Sequence, residues 1–280
     1  MIEDLQTGTN ELIAGWGAEL LRHCERFVRP LIAADHARRP RHVGSGVLVA
    51  FNERSFFVTA AHVLRDALAH PWAIAGEQNL VPPQSAVYFT TPAEGHLDDT
   101  ADVGFVELTP NEVRQLGDVE FLSPARLDPD ERRRPPQPGL TRPFYFVFGY
   151  PASRMKPNPQ TKTVRATGAF PLLSLPVERY VYTAINRPEH SHLIVAFDRG
   201  DSHGRKGAVV APHPRGISGG GIWRVDDLVH LRPEATRLVA IATEWWAEQD
   251  ALVGTRIRVV LDGLRARYPD LQAFIPPTER

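Results

Sequence analysis

A single cysteine, Cys24, stands among 280 residues, so no disulfide can form within the chain. That scarcity suits a reducing compartment. No run of about 18 apolar residues occurs, which predicts no transmembrane helix. The opening MIEDLQTGTNELIAG is acidic and lacks the basic-then-apolar layout of a secretory signal, so the expected location is the cytoplasm. Neither sign of charge dominates, with 32 Lys and Arg against 33 Asp and Glu. No overall field therefore draws the chain to nucleic acid or to an anionic membrane, and neither is expected as a partner. No repeat at a fixed period appears. What remains is ordinary globular composition, 42% hydrophobic and 23% charged, with 25 prolines that a long helical bundle would tolerate badly.

Residues 1–38 read as an N-terminal helical extension. Leu12, Trp16, Leu20, Cys24, Phe27 and Leu31 recur at steps of three or four through 11–35, a stripe fit to pack on the body or on a regulatory protein partner. Beyond RRPRH the texture changes. VGSGVLVAF and RSFFVTAAHV flank NER as a hairpin-like pair, and SAVYFTT and ADVGFVEL follow, which makes 39–125 a first β-rich unit. RLDPDERRRPPQPGLTR, residues 126–142, has no periodicity and reads as an exposed linker, with Arg132, Arg133 and Arg134 solvated or facing an acidic partner. The second unit, 143–280, carries FYFVFGYP, KTVRATGAF, RYVYTAI, HLIVAF, GGIWRV, RLVAIATEW and GTRIRVV as strands. DGLRARYPDL then reads as a terminal helix.

The stretch GISGGGIW, residues 216–223, surrounds one serine with four glycines. It reads either as a surface loop or as a nucleophile on a tight turn, where glycines let backbone N–H groups approach a substrate carbonyl. A nucleophilic serine needs a base, and His62 in VTAAHVL sits at a strand-to-turn transition with small neighbours. The base needs an orienting acid, and Asp102 opens the alternating run DVGFVEL. Asp98 and Asp99, in a more polar setting, read as turn residues. His190, His192 and His203 have metal-ligand types without a completing spacing, so neither a metal nor a cofactor is expected. GDSHGRKG lacks the Gly-Lys-Ser/Thr order of a phosphate loop.

TAAH, ADVGFVEL and GISGG, in the order His, Asp, Ser, resemble the triad segments of chymotrypsin-like (trypsin-fold) serine peptidases. The resemblance covers roughly residues 42–268, with GSGVLVAF, FGYP, LVAIATEW and GTRIRVVLDGL as weaker matches. It implies an all-β fold of two six-stranded antiparallel barrels with N- and C-terminal helices. It further implies a serine endopeptidase acting on a peptide or protein, with Ser218 as nucleophile, His62 as general base and Asp102 as its partner. The backbone N–H groups of Gly216 and Ser218 would form the oxyanion hole, while Thr243 and Glu244 would begin the wall of the substrate cleft. Two departures stand out. Ile217 replaces the acid that secreted relatives pair with a cut N-terminus, and Pro212 stands where trypsin carries the aspartate that selects basic side chains. The alternative is a catalytically quiet peptide- or partner-binding module on the same fold.

Overall fold

Residues 28–34, whose apolar spacing fits the end of a helix, are instead strand β1 (Val28–Ala34). The structure, a computed structural model, describes residues 19–90, 100–133, 135, 142–158, 163–166, 169–200, 202–204, 207–226 and 233–278. Helix α1 is described over 19–25 and stops before Pro30, which a helix interior cannot hold. Phe27 and Leu31 satisfy both periods, and pairing of β1 with strands on each side decides for the sheet. Leu20, Cys24 and Phe27 are buried against Phe146, Phe148 and Tyr150, so the described part of the stripe packs on the protein's own body. Leu12 and Trp16 lie outside the described residues.

The predicted hairpin is present as β2 (Pro40–Phe51) and β3 (Arg54–Ala60). Asn52 at its turn takes φ 55°, a left-handed conformation that Asn tolerates better than most residues. Helix α2 (Ala61–Leu68) follows, then β4 (Trp72–Ala75), β5 (Leu80–Val81), β6 (Val87–Phe89) and β7 (Val103–Leu108). Together they make a seven-stranded antiparallel sheet in the order β5-β4-β1-β2-β3-β7-β6. Helix α3 (Pro110–Leu116) closes this unit with a capping box between Thr109 and Glu112.

The second unit runs through β8 (Phe144–Gly149), β9 (Met155–Asn158), β10 (Thr163–Ala166) and β11 (Phe170–Ser174). After α4 (Arg179–Ala184) come β12 (His192–Ala196), β13 (Ser202–Gly204), β14 (Gly207–Val209), β15 (Gly221–Val225), β16 (Arg237–Trp246) and β17 (Ala251–Arg256). Six of these form an antiparallel sheet in the order β11-β8-β15-β16-β17-β12. Its edges approach through a bridge between Pro176 and Val195. Both sheets are curled and open, whereas the sequence predicts closed six-stranded barrels. Two curled antiparallel sheets with few helices are compatible with a trypsin-like double barrel.

Three further expectations are corrected. RYVYTAI alternates like a strand but forms α4, burying Val181, Tyr182 and Ile185 on one side. GTRIRVV is divided, ending β17 at Arg256 and starting α5 (Ile257–Arg267), which buries Ile257, Val260, Leu261 and Leu264 at helical spacing. Each of those side chains gains roughly 1.5–3 kcal/mol on leaving water. The linker is not simply exposed. Its Glu131 is 4% exposed, bonded to Tyr145 and Arg256, and Arg224 donates to the Glu131 carbonyl at 2.8 Å. Arg132 pairs with Glu189 at 3.2 Å, while Arg134 lies outside the described residues. Partners this distant in sequence leave no local pattern.

Candidate active site

Helix α2 begins after Ala60, which has no side-chain oxygen to cap it. Asp102 supplies what is missing from across the sheet. Its carbonyl accepts the Ala61 N–H at 2.9 Å and its Oδ1 accepts the His62 N–H at 2.8 Å. The other oxygen, Oδ2, lies 2.6 Å from His62 Nδ1. Asp102 adopts φ 42°, a left-handed conformation costly for most side-chain-bearing residues but tolerated by Asp, just before β7. A carboxylate facing Nδ1 places the proton there and leaves Nε2 as the basic nitrogen. Burial of the ring pulls the His62 pKa down, but the Asp102 bond and charge, aided by Glu244, leave it raised above the ordinary histidine value.

Ser218 lies in the turn between residue 215 and β15. Gly216 (φ 93°) and Gly219 (φ 86°) take conformations that side-chain-bearing residues rarely adopt. A Cβ at Gly216 would fall 2.6 Å from His42 Cε1 and 2.8 Å from the Ala152 nitrogen, so no side chain fits. In this turn the Ile217 N–H donates to Pro214 at 2.8 Å, and those of Gly219 and Gly220 donate to Ala242 and Ile217 at 2.7 Å each. The N–H groups of Gly216 and Ser218 donate to no acceptor among the described residues. Each belongs to a peptide whose carbonyl is held from behind. Arg215 C=O accepts from Ala152 N–H, and Ile217 C=O from Gly220 N–H, both at 2.7 Å. In a trans peptide the N–H points opposite its carbonyl, so anchoring the two carbonyls aims the two free donors.

The three predicted side chains do not form one hydrogen-bonded chain. His62 and Asp102 are joined, but the Ser218 hydroxyl donates to the Thr243 carbonyl at 3.1 Å. The elements carrying them nevertheless meet. A Cβ on Gly44 would touch Val63, next to His62, at 2.5 Å and the Ser218 carbonyl at 3.0 Å. Glu244, next to Thr243, is near enough to help raise the His62 pKa.

The predicted cleft residues differ in what they offer. β15 pairs with β16 as far as Ile241, so from Glu244 to Trp246 β16 is ladder-paired to β17 alone, with Thr243 at the bulge between. Thr243 is 2% exposed, its hydroxyl donating to Val253 at 3.3 Å, and it contributes its carbonyl rather than its side chain. Glu244 is held by Arg187 at 2.7 and 2.9 Å and by the Trp246 indole at 2.8 Å. Pro212 is half-buried, and the next residue, His213, meets the Trp245 ring edge-on at 4.9 Å. No group of three His, Cys, Asp or Glu side chains able to hold a metal is present among the described residues. His192 is buried with Nε2 2.7 Å from the Thr100 carbonyl, His190 lines a cavity with Arg132 and Arg179, and His203 lies outside the described side chains. Asp98 and Asp99 lie outside the described residues.

Sequence reading missed Ser45, Ala152 and Arg187, and it missed His42. Both ring nitrogens of His42 are buried without a well-aligned partner. Burial lowers its pKa to about 4, with the Gly44 backbone the one group opposing. His23 is likewise lowered to about 4, by burial and then by Arg126. Below the ordinary value of 6.5 the unfolded chain binds protons that these folded rings refuse, so stability falls as pH drops from 6.5 toward 4. For His42 alone the expected loss by pH 5 is about 2 kcal/mol. Urea titrations at pH 7 and pH 5 should show it, and His42→Phe should remove its share of the difference while that of His23 remains. An equally steep decline in that variant would assign the effect elsewhere. No protein-family model matches the chain, and no curated protein matches it in sequence.

Proposed function

We propose that the chain is a serine endopeptidase of trypsin-like fold. The observation that carries this reading is the pair of acceptor-free N–H groups, Gly216 and Ser218, in the turn that presents the Ser218 hydroxyl. Two acceptor-free donors in one turn suit the oxyanion of a tetrahedral intermediate. The His62–Asp102 pair supplies the proton acceptor.

In this reading Ser218 Oγ leaves the Thr243 carbonyl, attacks the scissile carbonyl and gives its proton to His62 Nε2. Asp102 stabilises the imidazolium, and the carbonyl oxygen becomes an oxyanion held by the two amides. His62 then protonates the departing amine as the acyl-enzyme forms. Water attacks the acyl carbonyl and gives a proton to His62, which passes it to Ser218 Oγ as the bond to the acyl group breaks, and the freed acid ionises to a carboxylate. The one-sided stretch Glu244–Trp246 suits a substrate that adds as an extended strand. Glu244 is already paired with Arg187, so it offers no free carboxylate to a basic side chain.

A second reading, a peptide-binding module without catalysis, is favoured by the Ser218 bond to Thr243. A fluorophosphonate probe separates the two. The expected result is one covalent adduct, on the peptide containing Ser218. Folded protein that takes up no probe would overturn the peptidase reading and leave the binding module.

A further inference from the structure

The free Gly216 amide raises a problem of its own. Glycine imposes little barrier to a flip of the Arg215–Gly216 peptide, which would turn a carbonyl where the proposed reaction needs a donor. Secreted relatives of the resembled family meet this with an acid beside the serine, but here Ile217 is apolar and 2% exposed. Other groups hold the turn. Ser45, fully buried on β2, touches it twice: its N–H donates to the Ser218 carbonyl and its hydroxyl to the Gly216 carbonyl, each at 2.8 Å. The direction of the hydroxyl proton is fixed, because the same Oγ accepts the Tyr150 N–H at 2.9 Å. Ser45 is itself anchored, its carbonyl accepting from Thr59 Oγ1 at 2.5 Å. Two residues beyond Tyr150, the Ala152 N–H holds the Arg215 carbonyl at 2.7 Å. The four successive carbonyl groups of residues 215 to 218 are thus all engaged.

We propose that Ser45 is a positioning residue which, with the Ala152 amide, locks the oxyanion turn in its receptive conformation without any ion pair to a chain terminus. The proposal rests on the peptidase reading for its purpose, though not for its geometry. A flip of the Arg215–Gly216 peptide breaks the Ala152–Arg215 hydrogen bond, and a turn of the neighbouring Gly216–Ile217 peptide breaks the buried bond from Ser45; these costs together hold the donors outward.

Two variants test it. Ser45→Ala removes the hydroxyl, and kcat should fall about tenfold to a hundredfold with KM changed less than about threefold. Affinity for a peptidyl boronic acid should fall in parallel, while affinity for an uncleaved peptide amide should hold. A merely structural role would move the melting temperature and leave this split absent. Ala152→Pro suits the first position of its short 3₁₀ turn, and the preceding Pro151 is extended at ψ 137° as a residue before proline must be, but the substitution puts a ring carbon where the N–H met Arg215. Its kcat should fall about 10²- to 10³-fold, and its crystal structure should show the Arg215 carbonyl displaced. Wild-type kcat in both variants would overturn the proposal while leaving the peptidase reading intact. A wild-type protein that neither cleaves peptides nor takes up the fluorophosphonate removes that reading instead. The Ala152→Pro structure then decides the positioning, and an unmoved Arg215–Gly216 peptide would overturn it.

Discussion

Ser218→Ala is expected to abolish fluorophosphonate labelling and to lower peptide hydrolysis by about 10⁶-fold in kcat. The residue is half-buried and its side chain makes one hydrogen bond, to the Thr243 carbonyl. Alanine fits the same space, and the loss of that bond costs about 1 kcal/mol, so the melting temperature should move by only a few degrees. The effect on rate and the effect on fold are therefore separable. Because the Gly216 and Ser218 amides are backbone groups, the variant keeps both donors and still binds the substrate carbonyl. Residual hydrolysis above the water rate should persist for that reason. The measurements are initial rates on a peptide mixture, a thermal melt and mass spectrometry of the probe-treated protein. Pure Ser218→Ala protein that cleaves at the wild-type rate would remove Ser218 from the reaction.

The parts of this molecule that were legible in its sequence are those governed by neighbours. The β2–β3 hairpin follows from the two β-rich runs on either side of Asn52, and the later part of α5 from DGLRARYPDL, although its first turn reads as strand. The candidate site was legible through residue type and surroundings: a histidine after two alanines, an aspartate at the lip of a strand, and a serine among glycines. The local signal failed where two periods coincide, as in 28–34, where the same apolar residues fit helix and strand and only pairing with β2 and β4 decides. It failed again in α4, whose tyrosines alternate over too short a run to separate the two. The buried linker illustrates a different limit. Glu131 is tolerable only because Arg256 and Tyr145 reach it, and Arg256 is 125 residues away. Ser45 is the extreme case. It reads as one more small residue in a strand, and its significance lies in a carbonyl 171 residues along the chain.

Asp102→Asn should lower kcat by about 10⁴-fold at neutral pH with little change in stability. Asp102 has two duties that this substitution separates. As a cap it accepts the His62 N–H on Oδ1, and an asparagine oxygen does the same. As partner of the ring it faces Nδ1 with a negative oxygen at 2.6 Å, and there the asparagine must present its NH₂ group. An N–H donor at that place needs a lone pair on Nδ1. The ring proton is driven to Nε2, the atom that has to accept from Ser218, and the base is blocked. The pH profile should shift as well. In the native protein the charge of Asp102 helps raise the His62 pKa above 6.5, so the rate of kcat/KM should climb as pH rises through that raised value. Without the carboxylate, desolvation dominates and the His62 pKa falls, which moves the limb to lower pH. Linkage carries the same sign: stabilisation by the charged pair is present below 6.5 and lost as pH rises through the raised value, and the variant lacks it. Asp102→Ala, by contrast, also uncaps α2 and should cost a further 1 kcal/mol or so in stability. NMR titration of the His62 ring, beside the kcat/KM profile, tests both shifts. An unchanged His62 pKa in Asp102→Asn, with activity retained, would leave Asp102 as a helix cap and nothing more.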